Sequence, residues 1–390
     1  MRQIDTELLH RVQALSAQAL RLSNPNPRVG CVIADASGRV LAEGYTQKAG
    51  GPHAEAMALR DAQARGHSVE GATAYVSLEP CSHHGRTPPC CDALIAARVA
   101  RVVVFTGDPN PLVAGQGIDR LRAAGIAVEL LAPDSPQARA SRELNIGFFS
   151  RMIRHTPWVR LKAASSLDGV TALENGVSQW ITGEAARTDG HAWRARACAV
   201  LTGIGTVLED DPSLDVRLVE TPRQPHLVIV DSRLQTPSTA RLFQAPAHGL
   251  SRQIWIYHAT RDAAREAALQ AQGATLVHMP GANNKVDLPG LLADLGRREV
   301  NELHVEAGHK LNGSFLREGL VDELLLYVAP TLLGRGAGVA HFGPLEQLGD
   351  GPQLRFGSID PVGQDLRILA RVQGRDLFLH QTPASETLRK

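Results

Sequence analysis

The sequence has little lysine, few aromatic residues and no long apolar run. Only five of its 41 basic residues are lysine, and Phe, Tyr and Trp together make up 4% of the chain. No apolar stretch approaches the ~18 residues of a membrane span, so we expect neither a secretory signal peptide nor a transmembrane helix. The formal net charge of +1 indicates no polyanion-binding surface, and no nucleic-acid partner is expected.

Cysteine is also sparse, with five residues in 390. Three of the five lie close together, at positions 81, 90 and 91. In a chain of this length, that arrangement favours a metal site in a reducing, cytoplasmic compartment over a framework of disulfides.

Strand-like and helix-like segments alternate through both halves of the chain. With 390 residues, 43% of them hydrophobic, the chain is long enough for two domains with separate cores. Up to about residue 145 the alternation predicts a largely parallel sheet with helices on both faces. The pattern changes in 144–162, where "GFF" predicts a packed connection, and a second α/β series follows. We place the two domains at 1–147 and 155–385.

Four residues in the first half have the spacing of a catalytic zinc site. His53 and Glu55 lie two apart at the predicted start of a helix, Cys81 follows a strand, and Cys90 opens another helix. Two thiolates and one imidazole select Zn²⁺, and three protein ligands leave the fourth position to water. The metal acidifies that water, and a carboxylate that is not a ligand can carry its proton. Glu55 is placed for that role.

The spacing of these residues resembles the signature of zinc deaminases, H-x-E followed by P-C-x-x-C. Here the second cysteine follows the first after eight residues, not two. The alternative is a closed structural zinc site whose fourth ligand is Cys91, His83 or His84. Because Cys91 points about 100° away from Cys90 on a helix, we expect it to pack in the core.

Longer segments resemble one family, the bifunctional riboflavin-biosynthesis deaminase/reductase. In the first half these are "NPNPRVGCVI", "AGGPHAEAMAL", "YVSLEPCSHHGRTPPCCDALI" and "GDPNPLVAGQGI"; in the second they are "KAASSLDGVTA", "SQWITG", "GIGTVLEDDPSLDVR", "VIVDS" and "HVEAG". The resemblance implies a cytidine-deaminase-like three-layer α/β/α domain followed by a dihydrofolate-reductase-like α/β domain.

The resemblance also implies two successive reactions. The first is zinc-dependent hydrolytic deamination of 2,5-diamino-6-(ribosylamino)-4(3H)-pyrimidinone 5′-phosphate. The second is NADPH-dependent reduction of the ribosyl group of 5-amino-6-(5-phosphoribosylamino)uracil to ribityl. By similarity His53, Cys81 and Cys90 bind one Zn²⁺ per chain and Glu55 is catalytic. The implied substrate contacts in this domain are Asn26, His83 and Arg86.

The same resemblance assigns contacts in the second half. Those to NADPH would come from Ala164, Trp180, Thr206, Asp210, Ser232, Gly308, His309, Lys310, Leu311, Asn312, Gly313 and Ser314. Those to substrate would come from Ser178, Arg194, Leu214, Arg217 and Glu306. From the residues alone, Trp180 can equally fill core and Arg194 can form a surface salt bridge. No G-x-G-x-x-G opens this half, so a Rossmann cofactor domain is not expected.

The chain departs from its relatives at two places, and its partners follow from the resemblance. Many relatives have His where this chain has Thr46, and Pro-Thr or Ser-Ala where it has His309-Lys310. The family implies a phosphorylated pyrimidine substrate, no membrane partner and a homo-oligomer, with a C2 dimer favoured. The alternative function is a nucleic-acid base deaminase with an appended nucleotide-binding domain, which would predict a basic face and P-C-x-x-C spacing.

Overall fold

The computed structural model of the chain describes residues 3–82, 88–111 and 113–380. These residues separate into two compact units. The first comprises the described residues up to Arg154 together with those from Leu377 onward, and the second is His155–Asp376. Both units mix helices with a β-sheet, which confirms the predicted α/β class.

The first unit contains six α-helices and five strands among its described residues. In chain order these are α1 Gln3–Gln18, β1 Gly30–Ala34, β2 Val40–Tyr45, α2 Ala54–Ala64, β3 Thr73–Val76, α3 Cys90–Ala96, β4 Arg101–Val104, α4 Gln116–Ala123, β5 Ala127–Leu130, α5 Pro136–Leu144 and α6 Ile146–Arg154.

The sheet of the first unit has the order β2-β1-β3-β4-β5 and is mixed. Strands β3, β4 and β5 are parallel, but β1 is antiparallel to both β2 and β3. The expectation of a largely parallel sheet is therefore wrong on the β1 side. Residues 35–39 join β1 to β2 directly, and a connection this short cannot contain the crossover that parallel neighbours require.

Helices cover both faces of this sheet. Val32 of β1 packs in a core with the apolar stripe of α1, whereas the thiol of its neighbour Cys31 lies close enough to Glu55 of α2 for the two groups to interact electrostatically. Successive side chains of a strand point to opposite faces, so α1 and α2 lie on opposite sides. The predicted packed connection is confirmed, since α6 buries Ile146–Ser150, and the Arg154 guanidinium lies 4.7 Å from the centre of the Phe378 ring.

The second unit contains five α-helices and eleven strands among its described residues. In chain order these are β6 Trp158–Ser166, β7 Val170–Leu173, α7 Glu184–Arg196, β8 Ala199–Gly203, α8 Ile204–Asp210, β9 His226–Val230, β10 Ile254–His258, α9 Ala263–Ala271, β11 Ala274–His278, α10 Leu288–Arg297, β12 Glu302–Val305, α11 His309–Arg317, β13 Glu323–Ala329, β14 Gly336–Gly338, β15 Leu354–Val362 and β16 Asp365–Val372.

The main sheet of this unit has nine strands in the order β11-β10-β9-β8-β12-β6-β13-β16-β15. All neighbours from β11 to β13 are parallel, and β16 and β15 extend the sheet as an antiparallel hairpin. One face is apolar, with Leu303 and Val305 of β12 in the main core. Because side chains alternate along a strand, the residues between them point to the other face, where α7 packs.

That other face carries a buried group of charges, which we call the charge column: Arg160, Glu302, Glu323 and Arg196. The Arg160 guanidinium lies 3.0 Å from Glu302 and 2.7 Å from Glu323, and Arg196 of α7 lies 2.7 Å from Glu302. Three of the four are essentially inaccessible to solvent. Each charge has an opposite partner, which offsets much of the cost of burying it.

Candidate functional site

The three predicted metal ligands converge in the first unit. The ligand atoms of His53, Cys81 and Cys90 all lie within 4.8 Å of one another. The His53 Nδ1 atom is 3.6 Å from the Cys81 sulfur and 3.4 Å from the Cys90 sulfur. Among the residues that the structure describes, no other group of three or more potential ligands meets in this way. An imidazole and two thiols at this spacing fit a zinc ion.

Helix starts position two of these ligands. His53 is the N-cap of α2, and Cys90 is the first residue of α3, with its backbone N–H directed at the Cys81 sulfur at 3.3 Å. Gly44 lets β2 approach the first turn of α2, because a Cβ there would lie 2.5 Å from the Ala58 nitrogen. The pKa of Cys81 is lowered to about 4, mainly because the Cys90 thiol donates to its sulfur and secondarily because of His53.

Glu55 lies two residues beyond His53, in the first turn of α2, and is almost inaccessible to solvent. Burial raises the pKa of its carboxyl, and the charge of the Cys81 sulfur raises it further. A carboxyl with a raised pKa beside these three potential zinc ligands is suited to accept and return a proton.

Cys91 is turned away from the cluster. Its Sγ atom lies 3.2 Å from the Pro80 carbonyl oxygen, to which the thiol donates, and burial raises its pKa to about 12. The thiol is therefore neutral and fully packed.

We expect Cys90→Ser and Cys91→Ser, neighbours in the same helical turn, to differ sharply in metal content. Cys90→Ser should lose most of its bound zinc, because the site loses one of two thiolates, whereas Cys91→Ser should retain about one zinc per chain. Metal analysis of the purified proteins measures both. Metal loss in Cys91→Ser would identify Cys91 as a ligand and the site as structural.

Glu79, two residues before Cys81, is a feature that the sequence interpretation missed. Its carboxylate accepts four backbone N–H groups, from Asp108 and Gly115 on one oxygen and from Gly117 and Ile118 on the other, at 3.0–3.3 Å. It therefore ties Asp108 and the start of α4 to the turn that carries Cys81. The available signal was the acidic residue directly before Pro80-Cys81, in a chain whose "GDPNPLVAGQGI" segment had no assigned role.

The predicted substrate contacts of this unit are only partly described. Asn26 is half-buried in the turn after α1. His83 and Arg86 lie outside the described residues. Thr46 is buried, and its hydroxyl and the backbone of Val29 form mutual contacts of 3.3 and 3.5 Å. The Thr46 side chain is thus engaged by the fold.

In the second unit the strand order collects the predicted cofactor and substrate residues. Strands β9, β8, β12 and β6 are parallel neighbours in this sheet. Ser232 follows β9 after one residue, α8 follows β8 directly, Glu306 directly follows β12, and Ala164 lies near the carboxyl end of β6. Ligands of parallel α/β sheets bind beyond these carboxyl ends. The starts of α8 and α11 lie against each other, since a Cβ on Gly203, the N-cap of α8, would lie 3.0 Å from the Leu311 side chain of α11.

Glu306 is the centre of a charged cluster at this edge. Arg194 of α7 donates two hydrogen bonds to the Glu306 carboxylate, from Nε to Oε1 and from Nη2 to Oε2, the second at 2.8 Å. The Lys162 ammonium lies 3.9 Å from Oε2. Burial alone would raise the pKa of Glu306, but Arg194, with smaller contributions from His304 and Lys162, holds it well below its usual range. Arg194 is therefore no surface salt bridge, and Glu306 is ionised.

Trp180 is highly exposed, so it does not fill core. The guanidinium of Arg187 lies 4.9 Å from its ring centre, and the neighbouring Gln179 amide donates to Asp210 at 3.3 Å. Two predicted NADPH contacts, Trp180 and Asp210, thus lie on adjoining segments. A ring with an open face suits stacking on a planar ligand.

The 308–314 segment is divided between accessible and buried residues. Gly308 is the N-cap of α11, without a side chain that satisfies the first N–H groups, and Lys310 is exposed. Asn312 and Gly313 are buried; the Asn312 amide donates to Val339 at 2.9 Å, and a Cβ on Gly313 would overlap the His341 carbonyl. The start of α11 therefore has accessible residues at 308 and 310, while Asn312 and Gly313 anchor the helix to the 339–341 segment.

Leu214 and Arg217 lie in the loop after α8. Leu214 is buried with a left-handed backbone, φ 50°, and its carbonyl accepts from Arg252 at 2.8 Å. Arg217 is exposed and pairs with Asp215 at 2.9 Å. His191 of α7 accepts the Arg217 backbone N–H at 3.1 Å, and burial together with Arg194 lowers its pKa to about 3. Sequence interpretation missed His191 and Asp215, which become visible only when α7 and this loop meet.

Comparisons with known proteins agree with this geometry. Residues 2–106 match the cytidine and deoxycytidylate deaminase zinc-binding region, and residues 157–368 match the RibD C-terminal domain. Riboflavin biosynthesis protein RibD of Escherichia coli is 44% identical, over 93% of this chain and 98% of its own length. The Aquifex aeolicus RibD is 37% identical, over 94% and 98%. RibD of Acinetobacter baumannii has a similar structure, with a TM-score of 0.84 and 39% identity over 95% of this chain and 99% of its own.

The two units together define a bifunctional enzyme, a zinc-dependent deaminase joined to an NADPH-dependent reductase. The N-terminal unit is cytidine-deaminase-like. The chain belongs to the RibD family and acts in riboflavin biosynthesis. Within the described residues, every helix is too short or too polar to cross a membrane.

Proposed function

We propose that the N-terminal domain, 1–147, deaminates 2,5-diamino-6-(ribosylamino)-4(3H)-pyrimidinone 5′-phosphate. A Thermotoga maritima protein described as a diaminohydroxyphosphoribosylaminopyrimidine deaminase and 5-amino-6-(5-phosphoribosylamino)uracil reductase is 31% identical, with a TM-score of 0.80 over 93% of this chain and 97% of its own. The observation that carries the proposal is the convergence of His53, Cys81 and Cys90 beside buried Glu55.

Each of these four residues has one role in the proposal. His53, Cys81 and Cys90 hold the zinc ion, which supplies an acidified water as nucleophile. Glu55 takes the proton of that water and delivers it to the substrate, so that the amino group leaves as ammonia. Its burial raises its pKa and favours this exchange. Asn26, His83 and Arg86 contact the substrate, and a guanidinium such as that of Arg86 is suited to the phosphate group.

The second domain, 155–385, reduces the ribosyl group of 5-amino-6-(5-phosphoribosylamino)uracil with NADPH. The cofactor supplies the hydride. Ala164, Thr206, Ser232 and the 308–314 segment bind it at the carboxyl edge of the sheet, with Trp180 and Asp210 at its side. Within 308–314 the first residues contact the phosphates, because the start of α11 offers backbone N–H groups that lack a side-chain cap. Asn312 and Gly313 anchor the start of α11 through their contacts with Val339 and His341.

The substrate of this domain lies against the Glu306 cluster. Ser178, Arg194, Leu214, Arg217 and Glu306 form its contacts. Arg194 is held by Glu306 and by the Asp215 carbonyl, so the exposed Arg217 is the better-placed cation for the substrate phosphate. Because Glu306 is ionised, it is not the proton donor of the reduction; we assign that role to Lys162, whose pKa is lowered by burial.

The outer hairpin supports the proposed homo-oligomer. Strand β15 is the last strand of the nine-stranded sheet, and it exposes Leu354, Phe356 and Ile359. An open edge strand with exposed apolar side chains is a pairing surface. We assign it to a second copy, in a C2 dimer through the reductase domains.

The described cysteines are unpaired thiols, which suits a cytoplasmic location.

Two lysines on β15 should prevent this dimer. We expect Phe356→Lys/Ile359→Lys to sediment as a monomer, because two charges would be buried against a second copy. The control Leu130→Lys changes an exposed leucine of the first unit and should leave the mass unchanged. Sedimentation equilibrium measures both. A double variant with the same mass as the parent would rule out this surface.

Incubation with the diaminopyrimidine phosphate, with and without NADPH, tests both reactions. Ammonia should form in both tubes, and NADPH should be consumed only after ammonia has appeared. Deamination without any NADPH oxidation would refute the proposed reductase reaction. The absence of ammonia from zinc-loaded protein would refute the proposed deaminase reaction.

A further inference from the structure

A completely buried histidine lies beneath the Glu306 cluster. His304 lies on β12, two residues before Glu306, which directly follows the strand, and the His304 side chain has no solvent exposure. Its strand neighbours in register are Arg160 of β6 and Val200 of β8. His304 thus lies between Glu302 of the charge column and the Glu306 cluster.

The His304 ring has one polar neighbour of consequence. Its Nε2 atom lies 3.4 Å from Glu306 Oε1, slightly beyond a well-formed hydrogen bond, and neither ring nitrogen has a hydrogen-bonded partner among the described residues. The charged groups that face it are Glu306, Arg160 of β6 and Arg194 of α7. Burial lowers the pKa of the ring, so it is neutral, and the Glu306 carboxylate favours the tautomer with its proton on Nε2.

We propose that His304 is a positioning residue for the reduction: its Nε2–H group holds Oε1 of Glu306 when substrate engages Arg194. The inference rests on the proposed role of Glu306 as a substrate contact. In the ligand-free structure Arg194 donates to both carboxylate oxygens. A substrate that also binds Arg194 weakens these two hydrogen bonds. The Nε2–H group of His304 is then the donor that fixes the orientation of the Glu306 carboxylate and keeps it ionised.

Packing alone does not account for an imidazole at this position. Burying a polar ring without satisfied nitrogens costs free energy that an apolar side chain of similar volume avoids. Leu325 and Ala186 pack in a small apolar core on the same side of the sheet, so apolar residues are tolerated under α7. An apolar residue would lack the contact between Nε2 of His304 and Oε1 of Glu306.

Two amides of different length separate positioning from packing. The Gln side chain in His304→Gln can reach Glu306 Oε1 with an N–H group, whereas the shorter one in His304→Asn cannot. We expect kcat of the reduction to stay near the parent value in His304→Gln and to fall about tenfold in His304→Asn and His304→Leu. Deamination should be unchanged in all three.

The pH profile gives a second readout. Loss of a donor favours the protonated form of Glu306, so the acid limb of the reductase profile should move to higher pH in His304→Asn and remain in place in His304→Gln. Thermal unfolding of each variant, together with Thr202→Val as a control, monitors the fold. Thr202 is buried on β8 with an unpartnered hydroxyl, and this change should leave kcat and the profile unaltered.

The outcomes separate the inference from the proposed function. Equal rates and profiles in His304→Asn and His304→Gln would overturn the positioning role, whether both resemble the parent or both are slow. If Glu306→Gln itself retains full reduction, the proposed role of Glu306 fails. If Glu306→Gln loses reduction while His304→Asn does not, only the inference fails.

Discussion

Replacement of Glu55 by Gln is expected to lower kcat for deamination by about 10²–10⁴-fold, the range of general acid–base catalysis. Gln keeps the shape of the side chain but cannot accept and return a proton. Zinc should remain at about one ion per chain, because Glu55 is adjacent to the three ligand residues without being one of them. Ammonia release under saturating substrate measures the loss.

The second domain provides the internal control for this variant. Given 5-amino-6-(5-phosphoribosylamino)uracil directly, Glu55→Gln should consume NADPH at the parent rate. Equal loss of both activities would indicate misfolding, and a parental rate of ammonia release would exclude Glu55 as the proton carrier.

Replacement of Glu306 by Gln should produce the reciprocal pattern, with reduction lowered by at least about 10²-fold and deamination intact. The change leaves Arg194 and Lys162 without their shared counter-charge in a buried cluster, which is the costly way to break an ion pair. The resulting excess positive charge should also alter how the substrate phosphate and the reacting carbon are held. NADPH oxidation with the deaminated substrate measures the effect.

Arg196→Met is a suitable comparison for Glu306→Gln. Arg196 comes from the same helix as Arg194 but pairs with Glu302 in the charge column, away from Glu306. Its loss should affect thermal stability more than kcat. If Arg196→Met slows reduction as much as Glu306→Gln, the reaction depends on the general integrity of this face and not on Glu306.

The deaminase site was predictable to a large extent because its signals are local. His53 and Glu55 share one turn, and Cys81 and Cys90 flank one short segment, so spacing alone indicates zinc chemistry. The support of the site was not predictable in the same way. Glu79 accepts hydrogen bonds from backbone N–H groups 29 to 39 residues further along the chain, and backbone donors leave no trace in side-chain patterns.

The residues of the reductase site were predicted almost entirely from the family resemblance, and hardly at all from local spacing. Its groups come from β6, α7, β12 and the loop after α8, which are far apart in the chain and meet because of the strand order. Two errors have similar causes. Antiparallel pairing of β1 depends on a short connection. Strand β15 was not predicted because its apolar alternation at Leu354 and Phe356 is interrupted by a register shift between Phe356 and Ser358.

The charge column under α7 determines where that helix can sit. Arg194 and Arg196 engage Glu306 and Glu302, so sliding α7 by one residue would leave two buried carboxylates facing groups that cannot neutralise them. Apolar replacements of Arg160, Glu302 and Glu323 would keep the face packed but remove this penalty for misalignment. These ion pairs thus fix the position of α7 along the sheet. They contribute little net stability, but they place Arg194, the proposed substrate contact, identically in every folded molecule.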